Sequence, residues 1–375
     1  MMIDRCTEGF MRKKIAAVLA IGALGGIGCE SKKAANFSIL PDANVYAQDG
    51  VYEPRKIDIL WVIDNSNSMK TSQENLANNF QSFIEKFQSL KFDYHIAVAA
   101  TDSWRTLYDP KSPNHSLLRD GDDSTAHSGQ FVIDKNTVDI VGTFIKNAEL
   151  GVLGTKGSAG TYIPAGDERA FSSMKATLEN PANSAFRRQD AYLAIIIVSD
   201  EDDFSREGLY SSTNPSTYDN PKLESVQSYV DFLNSYTGRT SPDAPSNYSV
   251  STITVEDDIC RDTLDSDGFA RYPGARYMQF ANATGGHIGS LCTPFNDTLA
   301  SISDSIVNYT SVFPLTRVPI VETIKIHING ILIPNNDTNG WTYRASDNSI
   351  WFHGDSTPPS GASIRIDFDP VGIKM

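Results

Sequence analysis

The sequence predicts an α/β fold with a doubly wound, mainly parallel sheet, followed by a small C-terminal module that resembles a β-sandwich. For about 250 residues, short apolar strand segments alternate with segments whose apolar residues recur at helical spacing. The inner strand segments are apolar nearly throughout, which is typical when helices cover both faces of a parallel sheet. From about residue 315 the helical pattern stops, and short strands separated by turn residues follow.

Three apolar strand segments each end at an aspartate. These segments with their aspartates are 57–63 with Asp64, 94–100 with Asp102, and 191–198 with Asp200. Parallel strands bring their carboxyl ends to one edge of a sheet, where ligands bind in open α/β sheets, so we expect the three aspartates to converge there. A further strand is predicted over 248–255, and helices over 71–90, 138–147, 167–179, 222–236, 274–283 and 293–310.

The loop after the first strand has a pattern suited to binding a hard metal ion. It reads Asp64-Asn-Ser66-Asn-Ser68 and precedes an amphipathic helix. Mg²⁺ prefers about six oxygen ligands, and short Ser side chains on a tight loop can reach one point together with a carboxylate. The alternative is that Ser66 and Ser68 only cap the helix that begins near Thr71. The position of the pattern directly after a buried strand favours the metal site.

With these residues the chain resembles the von Willebrand factor A family and its metal-ion-dependent adhesion site, over roughly residues 55–310. The segment Ala281-Asn-Ala-Thr284-Gly-Gly286 also resembles a turn found late in such domains. The resemblance implies that Asp64 and the two serines hold one Mg²⁺, and that Asp200 binds it through water. Ca²⁺ and Mn²⁺ stay open as alternatives for the ion.

A third loop completes the metal site in that family, and it usually carries a Thr before a helix. Here Thr161 has the matching side chain but lies well before the predicted helix, whereas Asp167 has the better position and a carboxylate. We therefore expect Thr161 or Asp167 to complete the site. A carboxylate would lower the net charge of the ion and weaken its attraction for an acidic partner. Alternatively, Asp167 and Glu168 are acids that favour a helix N-terminus.

Two other acidic segments are candidates for cation binding. One is Ser199-Asp200-Glu201-Asp202-Asp203, in which only Asp200 ends a strand. The three later acids are expected to fix the loop, to bind Ca²⁺ or to be solvated. We expect at least one of them to be solvated. The segment 262–268 is similar to a calcium loop but lacks the Glu that ends an EF-hand loop, so we expect no metal there.

Residues 1–28 have the features of a lipoprotein signal peptide. A basic segment precedes an apolar run over 15–28, which is too short to span a bilayer. The stretch ending at Cys29 resembles a bacterial lipobox, which implies that Cys29 is diacylated, and Glu30 after it points to the outer membrane. The alternative is a plain signal peptide. The polar residues 29–55 are expected to be a tether.

Cysteine use agrees with export. Cys260 and Cys292 are the only cysteines after the leader and Cys29, and in an oxidising compartment such a pair suggests one disulfide. Two buried thiols are the alternative. The expected domains are the α/β domain over 56–312 and the β-rich module over 315–375.

Charge and motifs limit the function. The formal net charge of −14 repels nucleic acid. The sequence contains no phosphate-binding loop, zinc-protease motif or serine-hydrolase elbow. We therefore expect that the protein is not an enzyme. We expect a lipid-anchored envelope protein that uses its metal to capture a protein ligand supplying an acidic side chain. The alternative is a structural scaffold of an envelope or secretion assembly, with a metal that stabilises the fold.

Overall fold

The computed structural model describes residues 45–121, 127–150, 167–214, 217–239, 246–265, 269 and 271–372. The signal peptide, Cys29 and Thr161 lie outside these ranges, so the predictions for them stay predictions. Within these ranges no helix has the length and apolar character needed to cross a bilayer.

The described strands form three sheets, and α-helices pack against the largest. The strands are β1 (Tyr46–Val51), β2 (Ile57–Ile63), β3 (Tyr94–Ala100), β4 (Ile133–Asp134), β5 (Tyr192–Ser199), β6 (Tyr248–Thr254), β7 (Ile288–Ser290), β8 (Val312–Pro314), β9 (Lys325–Ile328), β10 (Ile331–Ile333), β11 (Gly340–Arg344), β12 (Ser349–His353) and β13 (Ser363–Phe368). The helices are α1 (Lys70–Ser89), α2 (Arg105–Tyr108), α3 (Ile140–Ala148), α4 (Ala170–Glu179), α5 (Val226–Tyr236), α6 (Asp258–Leu264), α7 (Ala275–Thr284) and α8 (Phe295–Thr310).

The largest sheet has the order β4-β3-β2-β5-β6-β7 and is parallel except for the β3–β4 pair. Counted from β2 as the first strand, this order is 3-2-1-4-5-6, which is one of the orders of doubly wound sheets. The chain leaves β2 towards β3 and later returns to β5 on the other side of β2. Ligand sites in such sheets lie at the carboxyl ends of the two strands where the order reverses, here β2 and β5.

Alternate residues of β2 face two separate apolar layers. Trp61 and its neighbours two residues away pack with α1, α3 and α8, whereas Leu60 and Val62 pack with α4, α5 and α7. The Trp61 ring meets the rings of Phe83 and Phe144 edge-on, at centroid distances of 5.1 and 5.3 Å. Full burial of each such side chain contributes about 1.5–3 kcal/mol. Helices therefore cover both faces of the sheet, as the continuous apolar strands predicted.

The remaining strands form a β-rich module with a core of its own. One sheet has the order β1-β13-β9-β10 and the other β11-β12-β8, and both are antiparallel. Their apolar side chains share one cluster. The β9–β10 hairpin turns at Asn329 and Gly330, which both have positive φ, as the Asn-Gly pair in the sequence favours.

The prediction of a tether over 29–55 is wrong for the last part of that range. Residues 46–51 form β1, which pairs antiparallel with β13, so Tyr46 lies opposite Phe368. The segment is polar, and its place is set by backbone hydrogen bonds to β13, which apolar periodicity cannot reveal. The module also begins at Val312, slightly before the predicted boundary of 315. The α/β domain is thus inserted between the first and second strands of the module.

The module lies at the amino end of the large sheet. Residues 52–56 connect β1 of the module to the amino end of β2, and the Ser360 N–H donates to the Leu90 carbonyl, shortly before β3. The carboxyl ends of β2, β3 and β5 are therefore at the edge opposite the module.

The predicted disulfide between Cys260 and Cys292 is present, with a Cα–Cα distance of 5.7 Å. It joins α6 to the turn after β7 and ties together two loops on the carboxyl side of the sheet.

Candidate metal site

Asp64 lies at the centre of the carboxyl edge and is fully buried. Its backbone N–H continues the sheet by donating to the Val198 carbonyl. Its Oδ1 accepts from the Ser66 N–H at 2.8 Å, and its Oδ2 accepts from the Ser199 hydroxyl at 2.7 Å. The carboxylate therefore fixes both its own loop and the end of β5. Burial raises the pKa of Asp64, and its hydrogen bonds oppose that rise.

The two serines of the motif point to the acidic loop after β5. The Ser66 and Ser68 hydroxyl oxygens are 3.0 Å apart, and Ser68 donates to Oδ1 of Asp200 at 3.1 Å. Neither hydroxyl caps the 3₁₀ turn over 67–69 or the start of α1. The alternative that these serines only cap a helix is therefore wrong. The structure brings four of the predicted ligands, Asp64, Ser66, Ser68 and Asp200, into one hydrogen-bonded group.

Arg271 enters this group from the segment before α7. Its Nε donates to Oδ2 of Asp200 at 2.8 Å, and its Nη2 donates to the Ser68 carbonyl at 3.1 Å. Burial raises the pKa of Asp200 to about 7; the charge of Asp64 adds to this rise and Arg271 opposes it. Sequence reasoning missed Arg271, because a single arginine in a long loop carries no periodic or spacing signal.

The third strand-terminal acid, Asp102, also reaches this edge. It is fully buried, and its charge acts on Asp64. Arg119 lies 3.5 Å from its Oδ1. Within the described residues neither carboxylate oxygen of Asp102 accepts a hydrogen bond.

The carboxylate of Asp167 is occupied by two arginines and does not act as a metal ligand in this arrangement. Its two oxygens accept four hydrogen bonds from Arg169 and Arg206, at 2.7–3.2 Å. Burial alone would raise the pKa of Asp167, but the two guanidinium groups outweigh it and lower that pKa. Arg169 also lies over the Trp104 ring, 3.7 Å from its centroid. The arrangement is a buried ion cluster behind the third loop.

Glu168, beside Asp167, is the acid that faces the site. The residue is 1% exposed, and among the described residues neither carboxylate oxygen has a hydrogen-bond donor apart from the carboxyl group of Glu201. Burial raises the pKa of Glu168 well above its ordinary value, and the charges of Asp64, Glu201 and Asp200 raise it further. The helix-terminus interpretation of these two acids is wrong, because α4 begins at Ala170 with no acid in its first turn.

The acidic run after β5 divides into separate roles. Asp202 accepts from the Arg276 N–H at the start of α7, at 2.9 Å, and Asp203 accepts from the Phe171 N–H at the start of α4, at 3.1 Å. Both are buried, and only Glu201 of the three is partly exposed. Asp202 and Asp203 therefore satisfy helix N-termini, which fixes the loop around Asp200.

The donor chemistry fits a hard divalent cation. Among the described residues, no three His, Cys, Asp or Glu side chains are arranged as a metal-binding group by themselves. Here carboxylates combine with hydroxyls, and all are oxygen donors of the kind that Mg²⁺ and Ca²⁺ prefer. The buried acids Asp64, Asp200 and Glu168 repel one another, and a bound cation would offset this repulsion. The calcium-like segment differs: Asp262 pairs with Arg261, and Asp265 lies 3.8 Å from Arg271.

No family model and no curated protein matches the chain. Three of the solved structures that match are the pilus adhesin SpaC from Lactobacillus rhamnosus GG (9% identity, 88% of this chain and 41% of that chain, TM-score 0.39), proximal thread matrix protein 1 from the mussel byssus (10%, 72% and 52%, TM-score 0.34), and the pilus adhesin RrgA from Streptococcus pneumoniae (10%, 86% and 58%, TM-score 0.31). The chain spans about half the length of these structures. A further structure of the mussel protein has a zinc-occupied MIDAS motif. At TM-scores this low, the similarities carry no argument about fold or function.

Proposed function

We propose that the chain is a lipid-anchored cell-envelope binding protein with a von Willebrand factor A-type domain. In this proposal it captures a protein ligand through a divalent metal at the carboxyl edge of the large sheet. The observation that carries the proposal is the hydrogen-bonded group of Asp64, Ser66, Ser68 and Asp200, drawn from two loops at the point where the strand order reverses.

Each residue of the site has a distinct part in the proposal. Asp64 shapes its loop through the Ser66 N–H and is tied to β5 by Ser199. Ser66 and Ser68 present hydroxyl oxygens to the ion, and Asp200, oriented by Arg271, acts on it through water. When bound, the ion supplies a positive centre for an acidic side chain of the partner. Mg²⁺ is the proposed ion, with Ca²⁺ or Mn²⁺ as alternatives.

We propose that Cys29 anchors the protein to the outer membrane. The basis is the stretch that ends at Cys29 and resembles a lipobox, with Glu30 after it. Among the described residues the first strand is β1, which begins at Tyr46 in the β-rich module. Labelling with palmitate should be lost in Cys29→Ser.

The second candidate function is a structural scaffold of an envelope assembly. A specific observation favours it, because the buried carboxylate of Glu168 faces the site and could saturate the charge of the ion. In that case the metal would stabilise the fold and would take no part in capture.

A capture experiment separates the two functions. The full chain in detergent is incubated with an envelope extract in Mg²⁺ or in EDTA, beside Asp64→Ala and the exposed control Asp304→Ala. Capture through the metal predicts a protein retained by the wild type and Asp304→Ala in Mg²⁺ but lost in EDTA and in Asp64→Ala. Retention that EDTA and Asp64→Ala leave unchanged would favour the scaffold.

A further inference from the structure

The backbone of Glu168 is tied to both loops that flank Asp64. The N–H of the next residue, Arg169, donates to the Thr101 carbonyl just after β3, at 3.2 Å. The Glu168 carbonyl accepts from the Phe204 N–H in the loop after β5, at 2.9 Å. Because β3 and β5 are the two neighbours of β2, these bonds place Glu168 across the end of β2, where Asp64 lies.

The interactions of Glu168 and its neighbours locate its side chain. Asp167 and Arg169 bind each other and the buried Arg206. The Glu168 carboxylate takes no part in this ion cluster, and its charge interacts with those of Asp64, Glu201 and Asp200. Asp64 and Asp200 lie at the carboxyl edge of the sheet, so Glu168 lies near that edge.

The surroundings of Glu168 call for a cation. The residue is 1% exposed, and among the described residues its carboxylate has no hydrogen-bond donor apart from the carboxyl group of Glu201, with which it interacts. The nearby guanidinium groups of Arg169 and Arg206 bind Asp167, and that of Arg271 binds Asp200. A buried carboxylate is costly, and the charges of Asp64, Glu201 and Asp200 add repulsion to that cost. A divalent cation bound beside Glu168 would offset both the burial and the repulsion.

We propose that Glu168, rather than Asp167, supplies a carboxylate ligand of the metal from the third loop. This inference rests on the proposed metal site and refines it. The carboxylates of Asp64, Asp200 and Glu168 would then bring three negative charges to a divalent ion, beside the positive charge of Arg271. The bound ion would therefore be held tightly by the chain and attract an acidic partner only weakly, which favours the scaffold function.

Metal titration of the full chain in detergent tests this assignment. Mn²⁺ and Mg²⁺ binding is measured by calorimetry for the wild type, Glu168→Gln, Glu168→Asp and the exposed control Glu179→Gln. We expect Glu168→Gln to weaken metal binding by at least about tenfold, Glu168→Asp to weaken it less because the charge is retained, and Glu179→Gln to match the wild type.

Melting of the metal-free protein provides a second readout. Glu168→Gln removes a buried carboxyl group whose ionisation the metal-free fold disfavours, so at neutral pH its metal-free form should melt at a higher temperature than the wild type. A purely structural carboxylate predicts the reverse: a lower melting temperature with unchanged metal affinity, which would overturn the assignment. If the wild type binds metal, Asp64→Ala does not, and Glu168→Gln binds as the wild type does, only the Glu168 assignment fails. If the wild type binds no metal, the proposed site fails with it.

Discussion

The Ser68 hydroxyl donates a hydrogen bond to Oδ1 of Asp200 over 3.1 Å, although the two residues are 132 positions apart in the chain. This bond joins the loop after β2 to the loop after β5. Arg271 holds the other oxygen of the same carboxylate. The two loops and the segment before α7 therefore form one hydrogen-bonded group, which positions the proposed ligands relative to one another.

Removing a serine hydroxyl should weaken the metal site without unfolding the protein. We expect Ser66→Ala to lower Mg²⁺ affinity by about tenfold, because one oxygen donor is lost from a half-buried side chain. Calorimetry would measure the change. Ser301→Ala, which removes an exposed hydroxyl on α8, is the matched control. Equal affinities for Ser66→Ala and the control would mean that Ser66 is not a ligand.

Arg271 should stabilise the metal-free protein. Arg271→Ala leaves Asp200 buried without its counter-charge, and we expect a loss of about 3 kcal/mol in the free energy of unfolding. Urea unfolding in EDTA would measure this loss. Addition of Mg²⁺ should restore more stability to this variant than to the wild type. Arg261→Ala, whose ion pairs are exposed, should change little. If Arg271→Ala unfolds at the same urea concentration as the wild type, the proposed stabilising pair of Arg271 and Asp200 is contradicted.

A buried ion pair at the opposite end of β2 offers a test that separates stability from binding. Asp58 is fully buried and accepts hydrogen bonds from Arg187 and from the backbone and side chain of Arg188. Asp58→Asn should lower the free energy of unfolding by about 3 kcal/mol, because it leaves two arginines poorly paired. Its Mg²⁺ affinity below the unfolding range should equal that of the wild type. A large loss of affinity would mean that the two ends of the sheet are coupled.

The disulfide between Cys260 and Cys292 should contribute measurably to stability. It closes a loop with a sequence separation of 32 residues, for which the chain-entropy account gives about 3–4 kcal/mol. We expect the double variant Cys260→Ser, Cys292→Ser to unfold at correspondingly lower urea. Reduction of the wild type with dithiothreitol should reproduce the effect and leave the double variant unchanged. A midpoint equal to that of the wild type would show that the bridge adds no stability.

The sequence predicted the strands that carry the site more accurately than the connections. The predicted 57–63, 94–100 and 191–198 agree with β2, β3 and β5 to within one residue, because buried parallel strands are long apolar runs with clear ends. Helix α5 begins at Val226, four residues later than predicted, because the Ser225 side chain caps it by accepting from the Ser228 N–H. Such a cap does not change the spacing of the apolar residues, so that spacing does not show where the helix begins.

Two features of the site depend on contacts that no local pattern contains. The position of Asp167 before a helix predicted that it is the ligand. In the structure Arg169, two residues away, and Arg206, 39 residues away, both bind its carboxylate. The neighbouring Glu168 faces the site instead. Arg271 reaches Asp200 across 71 positions of the chain. These pairings follow from the tertiary arrangement of loops, so only the structure could reveal them.

Calorimetric titration of the full chain with Mg²⁺, beside Asp64→Ala, tests the central claim most directly. Asp64 is the residue whose carboxylate organises both loops, and its loss should remove the site. We predict saturable binding at one site per chain for the wild type and no measurable binding for Asp64→Ala, with both proteins folded by circular dichroism. Absence of binding by the folded wild type to Mg²⁺, Mn²⁺ and Ca²⁺ alike would contradict the proposed metal site.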